Sequence, residues 1–368
     1  MKTELHIGFD ARYIRVDHHD GISRFSARIG SELEQLTRYG SRARVTFIVC
    51  DERQLEHLPR GARHIFASSP TSVGERGIAR ALNRHGFDVV FSPMQTMGSR
   101  GRKFKLVLTV HDLIYYAHRM PPRQFGFLVR LGWRLFHLSW WPQRYLLNHA
   151  DRVVTVSQAT KRLIEGKRLT RHQVDVVYNG MDLVDRDSAL TVARNSTPDM
   201  TLVYMGSFLP YKNVPTLIEV ANRLPEYTLL LLSKIDPHDR HNLEKLITTG
   251  HVRFLDGVSD ERYRQLLAGA HALVSASLDE GFGIPVLEAM AMGTPVICSD
   301  IPSFVEVGGE APIYVDPHDS ETFVSAVRSL DARRRSERSS AGLRQAAQFT
   351  WSSAARKLLD VLMDVGRP

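Results

Sequence analysis

The sequence predicts an α/β protein of two domains, each built on a parallel sheet. Short apolar runs alternate with helical stretches along most of the chain, a pattern that needs crossover connections and so makes the strands parallel. The pattern also occurs twice, interrupted by a polar, aperiodic segment at 181–200 that reads as a linker. At 368 residues the chain exceeds one ordinary core and suits two, with the boundary expected at 182/183. The first domain is then 1–182 and the second 183–350, with the last helix, about 351–368, expected to return to the first.

The first series begins with an alternating strand at 5–9 that ends at Asp10. A loop follows through Gly21 to Arg24, then a helix at 26–36. Strand, glycine-containing loop and helix can cradle a phosphate, but an ordinary turn fits as well, and GxGxxG is absent. Further strands are expected at 45–50, 88–92, 106–110, 153–156 and 174–178, and a short helix at 78–83. The stretch to Ser72 is polar and loop-like, and Ser157 is placed to cap a helix. His111 and Asp112 close the strand at 106–110, at the strand end where open parallel sheets bind ligands. They serve either structure or function.

Residues 113–150 contain no acidic residue. Three of the four tryptophans fall there, Trp133, Trp140 and Trp141, among Arg119, Arg123, Arg130, Arg134 and Arg144. On a helical wheel Arg123, Arg130, Arg134 and His137 share one side, opposite Phe125, Leu128, Val129, Leu135, Phe136 and Trp140. A basic amphipathic helix over about 123–141 fits an anionic membrane surface, or a core-facing helix with a solvated basic face.

The second series places strands at 201–205, 228–232, 252–255, 272–275, 295–298 and 312–315. Its first strand runs into a loop containing Gly206, Ser207 and Lys212, followed by a helix from Val214. Residues 279–300, DEGFGIPVLEAMAMGTPVICSD, are the most informative stretch. Glu280 and Glu288 lie eight residues apart around the turn Gly281-Phe282-Gly283. Pro285 suits a first helical turn, and Gly293 suits a helix end. A helix N-terminus attracts phosphate, whereas neighbouring carboxylates suit neutral hydroxyls attached to that phosphate. Those are the needs of a nucleotide sugar.

The totals narrow the classes. A net charge of +8 favours anionic ligands. Two cysteines give no disulfide framework or zinc pattern, which points to a reducing, cytoplasmic setting. The N-terminal residues read as a strand and not as a signal peptide, and no apolar run is long enough to span a bilayer. No nucleic-acid partner is expected. An oxidoreductase is disfavoured, because no strand leads into GxGxxG.

The ordered stretches GFDARY, DGISRF, VLTVHDLI, TVSQATKRL, VVYNGMD, YMGSFLPYKN and the segment from Asp279 resemble the retaining glycosyltransferases of family four. That family has the GT-B fold, two Rossmann-like domains facing a central cleft. The wording resembles bacterial mannosyl and rhamnosyl transferases of surface polysaccharide synthesis. The resemblance implies that Glu288 holds the ribose and that Glu280 and His111 act at the donor sugar as the catalytic residues. It implies that the N–H groups of Gly281, Phe282, Gly283 and Ile284 meet sugar hydroxyls and diphosphate, and that Lys212 neutralises the diphosphate. It also implies that Gly21 lies under the β-phosphate and that Arg24 and Asp112 fall on the acceptor side. No cofactor or metal is implied, GDP-mannose is the first expected donor, and a glycan or lipid-linked molecule is the acceptor. Peripheral attachment to the inner membrane face is the further expectation. Many relatives carry Arg where this chain has Ser207, so one diphosphate cation is missing or comes from elsewhere, such as Arg24. A nucleotide-sugar epimerase and a non-catalytic binding subunit remain the alternatives.

Overall fold

The computed structural model describes residues 4–16, 21–38, 42–120, 126–181 and 200–366. The predicted linker, apart from its end residues Met181 and Met200, lies outside them, as do residues 17–20, Arg123 and Phe125 and the side chain of Leu128. The chain forms two compact units, Met1–Gly180 with Phe349–Pro368, and Met181–Gln348.

In the first unit the chain runs β1 (Leu5–Asp10), α1 (Gly21–Arg38), β2 (Ala43–Val49), β3 (His64–Phe66), α2 (Ile78–Leu82), β4 (Val89–Ser92) and β5 (Lys105–Val110). It continues with α3 (Ile114–Ala117), α4 (Phe127–Leu138), α5 (Trp141–Asn148), β6 (Arg152–Thr155), α6 (Gln158–Gly166) and β7 (Val174–Val176). All seven strands are parallel, in the order β3-β2-β1-β4-β5-β6-β7. The C-terminal helix, Trp351–Gly366, packs on α1. Ser157 caps α6 as expected, its Oγ accepting the Thr160 N–H at 3.0 Å.

Three local expectations change. The first turn of α1, Gly21 to Arg24, is helical and not loop. Its inner face combines Phe25, Ile29 and Leu33 with the small polar Ser23 and Ser26, which a purely apolar pattern misses. Burying those three large side chains contributes about 1.5–3 kcal/mol each. Gly30 lets α1 approach the sheet, because a Cβ there would stand 3.0 Å from the Phe47 ring and 3.2 Å from Phe9. The stretch expected as loop up to Ser72 contains β3, an edge strand of three residues on β2, too short to show a period.

The basic amphipathic stretch is two helices, and α4 is rotated from the expected orientation. His137 turns inward among Tyr115, Tyr116, Trp133 and Phe136, and its Nδ1 donates to the Trp133 carbonyl at 2.9 Å. Trp140 stacks on Tyr116 with ring centroids 3.9 Å apart. Leu135, grouped with the apolar side that was to meet either a membrane or the core, is exposed. Aromatic stacking on α3 decides the buried side, and a hydrophobicity wheel does not register it.

The second unit runs β8 (Thr201–Tyr204), α7 (Val214–Asn222), β9 (Thr228–Leu231), α8 (Pro237–Glu244), β10 (Val252–Phe254), α9 (Asp260–Gly269) and β11 (Ala272–Ser275). Then come α10 (Ile284–Ala291), β12 (Val296–Ser299), α11 (Pro302–Gly308), β13 (Ile313–Val315), α12 (Ser320–Arg328) and α13 (Ala332–Ala346). Its six parallel strands follow the order β10-β9-β8-β11-β12-β13. Both sheets therefore share the 3-2-1-4-5-6 winding of dinucleotide-binding folds, and both are Rossmann-like. Strand order reverses between β1 and β4 in one unit, and between β8 and β11 in the other. The loops after those strands border the crevice where such sheets bind ligands.

Candidate active site

In the second unit the loops after β8 and β11 carry the predicted residues and meet each other. Tyr204 ends β8 fully buried, and its hydroxyl donates to the Ser207 carbonyl at 2.6 Å. Burial first, then the charge of Glu280, holds its pKa well above the ordinary phenol range, so it stays a neutral donor. A Cβ on Gly206 would stand 2.8 Å from that hydroxyl, so only glycine fits under this bond. The Gly206 N–H donates to Ser233 Oγ at 3.2 Å. Ser207 itself is exposed.

The loop then tightens into a 3₁₀ turn, Pro210–Lys212. Asn213 closes it in the left-handed region at φ 51°, and its Nδ2 donates to the Pro317 carbonyl at 2.7 Å. The Leu278 N–H donates to the Tyr211 carbonyl at 2.7 Å, which fastens the β11 loop to this turn. Lys212 Nζ consequently reaches Glu280 Oε1 at 2.5 Å. The same oxygen accepts the Ser277 hydroxyl at 2.9 Å, and Ser277 pairs with Ser275 at 3.2 Å. The Lys212 and Glu280 side chains are 14% and 13% exposed, so the pair is sheltered but still open to a ligand.

Beyond Glu280 the turn is set by Gly283, at φ 108° and with Phe304 2.9 Å from a notional Cβ. Neither the dihedral nor the space admits another residue without strain. Phe282 is buried and anchors the turn, and Gly281 is half-buried. Ile284 opens α10, with Pro285 in its first turn. Glu288 lies inside that helix, buried, where its Oε2 accepts the Tyr263 hydroxyl at 3.0 Å. A cation and a carboxylate thus stand on two adjoining loops, followed by a helix N-terminus and a second carboxylate within that helix. They can hold an anion and hydroxyl groups together. Tyr263 and Ser277 were not legible as site residues, since their partners are set by the fold and neither belongs to a motif.

In the first unit His111 follows β5. Its Nε2 donates to the Pro93 carbonyl at 2.8 Å, which fixes the proton on that nitrogen, and its ring meets Phe25 edge-on at 5.1 Å. Asp112 Oδ1 accepts the Ile114 N–H at 3.2 Å and so supports the start of α3. Gly21 is the exposed first residue of α1, and Arg24 stands half-buried one turn in. The end of β1 carries a buried network. Arg12 grips Asp10 through Nε at 2.7 Å and Nη2 at 3.0 Å, and reaches Glu75 through Nη1 at 2.7 Å. Ser92 donates to Asp10 at 3.1 Å across the strand-order reversal. Burial opposes the Arg12 charge, but the two carboxylates outweigh it and hold its pKa above the ordinary value. Among the described residues, no cluster of three His, Cys, Asp or Glu side chains is suited to a metal.

Two Rossmann-like units of this winding define an architecture of the GT-B class. Two family models match, Glycosyltransferase Family 4 over residues 31–185 and Glycosyl transferases group 1 over residues 187–346. The chain belongs to the family-four glycosyltransferases. It is 34% identical over 168 residues to O-antigen chain mannosyltransferase B of Escherichia coli, covering 43% of this chain and 44% of that one. It is 28% identical over 233 residues to O-antigen chain mannosyltransferase RfbU of Salmonella typhimurium, covering 61% and 60%. The chain thus spans about half the length of these curated relatives. The structure of Anabaena HepE in complex with UDP-glucose superposes with a TM-score of 0.72 at 17% identity, covering 98% of this chain and 100% of that one, a likeness of fold.

Proposed function

We propose that the protein transfers a hexose from a nucleotide sugar to a glycan or lipid-linked acceptor of surface polysaccharide, with retention at the anomeric carbon. The observation that carries this is the Lys212–Glu280 pair at the β8/β11 strand-order reversal, beside the N-terminus of α10. In this reading the donor diphosphate takes over Lys212, which holds negative charge as it develops on the leaving group. The N–H groups of residues 281–284 meet the diphosphate and the sugar. Glu288, oriented by Tyr263, holds the ribose hydroxyls. Glu280, kept in place by Ser277, orients the donor sugar. The C1–O bond to the β-phosphate breaks and leaves its electron pair on the phosphate oxygen. The acceptor oxygen bonds to C1 on the same face, and its proton passes to that phosphate oxygen. His111 serves the transfer step and not nucleotide affinity.

The reaction needs no metal ion in this reading, because Lys212 and the helix terminus supply the positive potential. Mannose is the sugar, on the strength of what the two O-antigen relatives are named for, and GDP-mannose is the donor. Incubation with a panel of nucleotide sugars, with and without a lipid-linked glycan, tests this. Nucleoside diphosphate released only with acceptor, unchanged by EDTA, supports transfer. Conversion of the sugar without acceptor points to an epimerase, and strict dependence on a divalent ion overturns the metal-independent reading.

A further inference from the structure

The chain re-enters the first unit at Phe349-Thr350-Trp351, and each of these side chains has its own contact there. The Phe349 ring meets Tyr178 edge-on at 5.4 Å. Thr350 Oγ1 accepts the Ser353 N–H at 3.1 Å and so caps the C-terminal helix. Trp351, the buried first residue of that helix, meets Phe25 of α1 with ring centroids 6.2 Å apart and planes at 65°. Gly180, where the chain leaves the unit, lies against the Trp351 backbone. A Cβ there would stand 2.3 Å from the Trp351 nitrogen and 2.6 Å from its Cα. Only glycine permits that approach, and it holds Trp351 in place.

Phe25 carries the contact onward. It is buried, and besides Trp351 it meets His111, at 5.1 Å and with the two rings at 90°. His111 is only half-buried, and its Nε2 donates to the Pro93 carbonyl at 2.8 Å. That bond selects the tautomer and makes Nδ1 the acceptor nitrogen. A hydrogen bond at one ring nitrogen still lets the imidazole tilt about it. A perpendicular aromatic neighbour opposes the tilt, because edge and face of the two rings carry opposite partial charge. A leucine of similar size would fill the space without that preference. The three rings, Trp351, Phe25 and His111, thus run from the return point of the chain to the end of β5.

We propose that Phe25, backed by Trp351, is a positioning residue for the transfer step: it fixes the plane of the His111 ring while the Pro93 carbonyl fixes its tautomer. Trp351 acts one contact further away, through Phe25. The inference rests on His111 serving the transfer step, and it gives the Phe349-Thr350-Trp351 segment a part in that step.

The test reads the ring and the reaction separately. In the full chain with nitrogen-15 histidine, long-range proton–nitrogen correlation reports each imidazole tautomer, and the His111 signal is the one lost in His111→Gln. Wild type should show His111 mainly as the Nε2–H tautomer. Phe25→Leu should raise the share of the other tautomer. It should also lower kcat for GDP release from GDP-mannose with a lipid-linked glycan by about tenfold, with GDP affinity within about twofold of wild type. Trp351→Leu should lower kcat by about threefold, and Trp351→Phe, which keeps a ring, by less. Because Trp351 acts through Phe25, the double leucine variant should lose no more than Phe25→Leu alone, whereas independent losses would multiply. An unchanged His111 signal in Phe25→Leu overturns the proposal, as do losses that multiply. If Phe25→Leu does not fold, Trp351→Leu decides, and wild-type kcat with an unchanged signal overturns it. The ring signal needs no turnover, so a shifted ring in a chain that transfers no sugar sinks the transfer reading instead.

Discussion

Replacing Lys212 by alanine separates the two jobs given to this side chain. In the free protein Lys212 neutralises Glu280 at 2.5 Å in a sheltered position. Removing one partner of a fully buried pair costs about 3–5 kcal/mol. Here Ser277 still donates to the carboxylate at 2.9 Å, and Glu280 is 13% exposed, so the cost should fall to about 1–3 kcal/mol. In the bound protein the same substitution removes a charge-assisted bond to the diphosphate, worth about 1.5–3 kcal/mol. Affinity for GDP and UDP should therefore fall about tenfold to a hundredfold. Thermal unfolding and calorimetric titration read the two effects separately. Adding Glu280→Gln removes the stranded charge, so the double variant should regain most of the lost stability but none of the lost affinity. Affinity of Lys212→Ala within about twofold of wild type refutes the assignment of this loop to the diphosphate.

Other expectations follow from the same geometry. Glu288→Gln should weaken nucleotide binding by about tenfold, and Tyr263→Phe by less, because it only orients the carboxylate; calorimetry with GDP checks both. Glu280→Gln should lower kcat by about a hundredfold while leaving nucleotide affinity within a few-fold, read by steady-state kinetics with the donor. Gly283→Ala should destabilise the second unit by about 1–3 kcal/mol in chemical denaturation, since φ is 108° and Phe304 fills the space a Cβ needs. His137 and His271 have pKa values lowered by burial, with Arg335 adding to the effect at His271. The unfolded chain protonates first, so stability should hold above about pH 6.5 and fall as pH drops below it. His271→Gln should flatten part of that fall in thermal unfolding.

The parallel, doubly wound character of both units was legible because each buried strand is a short run of Val, Ile and Leu between turn residues. The corners were less so. The strand His64–Phe66 has only three residues, and α1 begins on Gly21 with serines on its buried side. The turn at Gly283 and the helix after it were readable from glycine and proline chemistry alone. Lys212 and Glu280 were each identified, but their contact spans 68 positions and exists only because β8 and β11 are neighbours. The Arg12–Asp10–Glu75 network escaped notice for the same reason, since Glu75 is 63 residues from Arg12. In α4 the residue types predicted an amphipathic helix correctly, but stacking among Tyr116, His137 and Trp140 chose which side faces inward. Wheel positions do not contain that choice.

The central claim is that Glu280, Glu288 and Lys212 form one nucleotide-sugar site. Native mass spectrometry of the protein with GDP-mannose, and with UDP- and dTDP-sugars as competitors, tests it most directly. One nucleotide sugar per chain is expected, with GDP-mannose outcompeting the others and with binding strongly reduced by Lys212→Ala and by Glu288→Gln. A chain that takes up none of them, or that binds equally well in both variants, contradicts the claim.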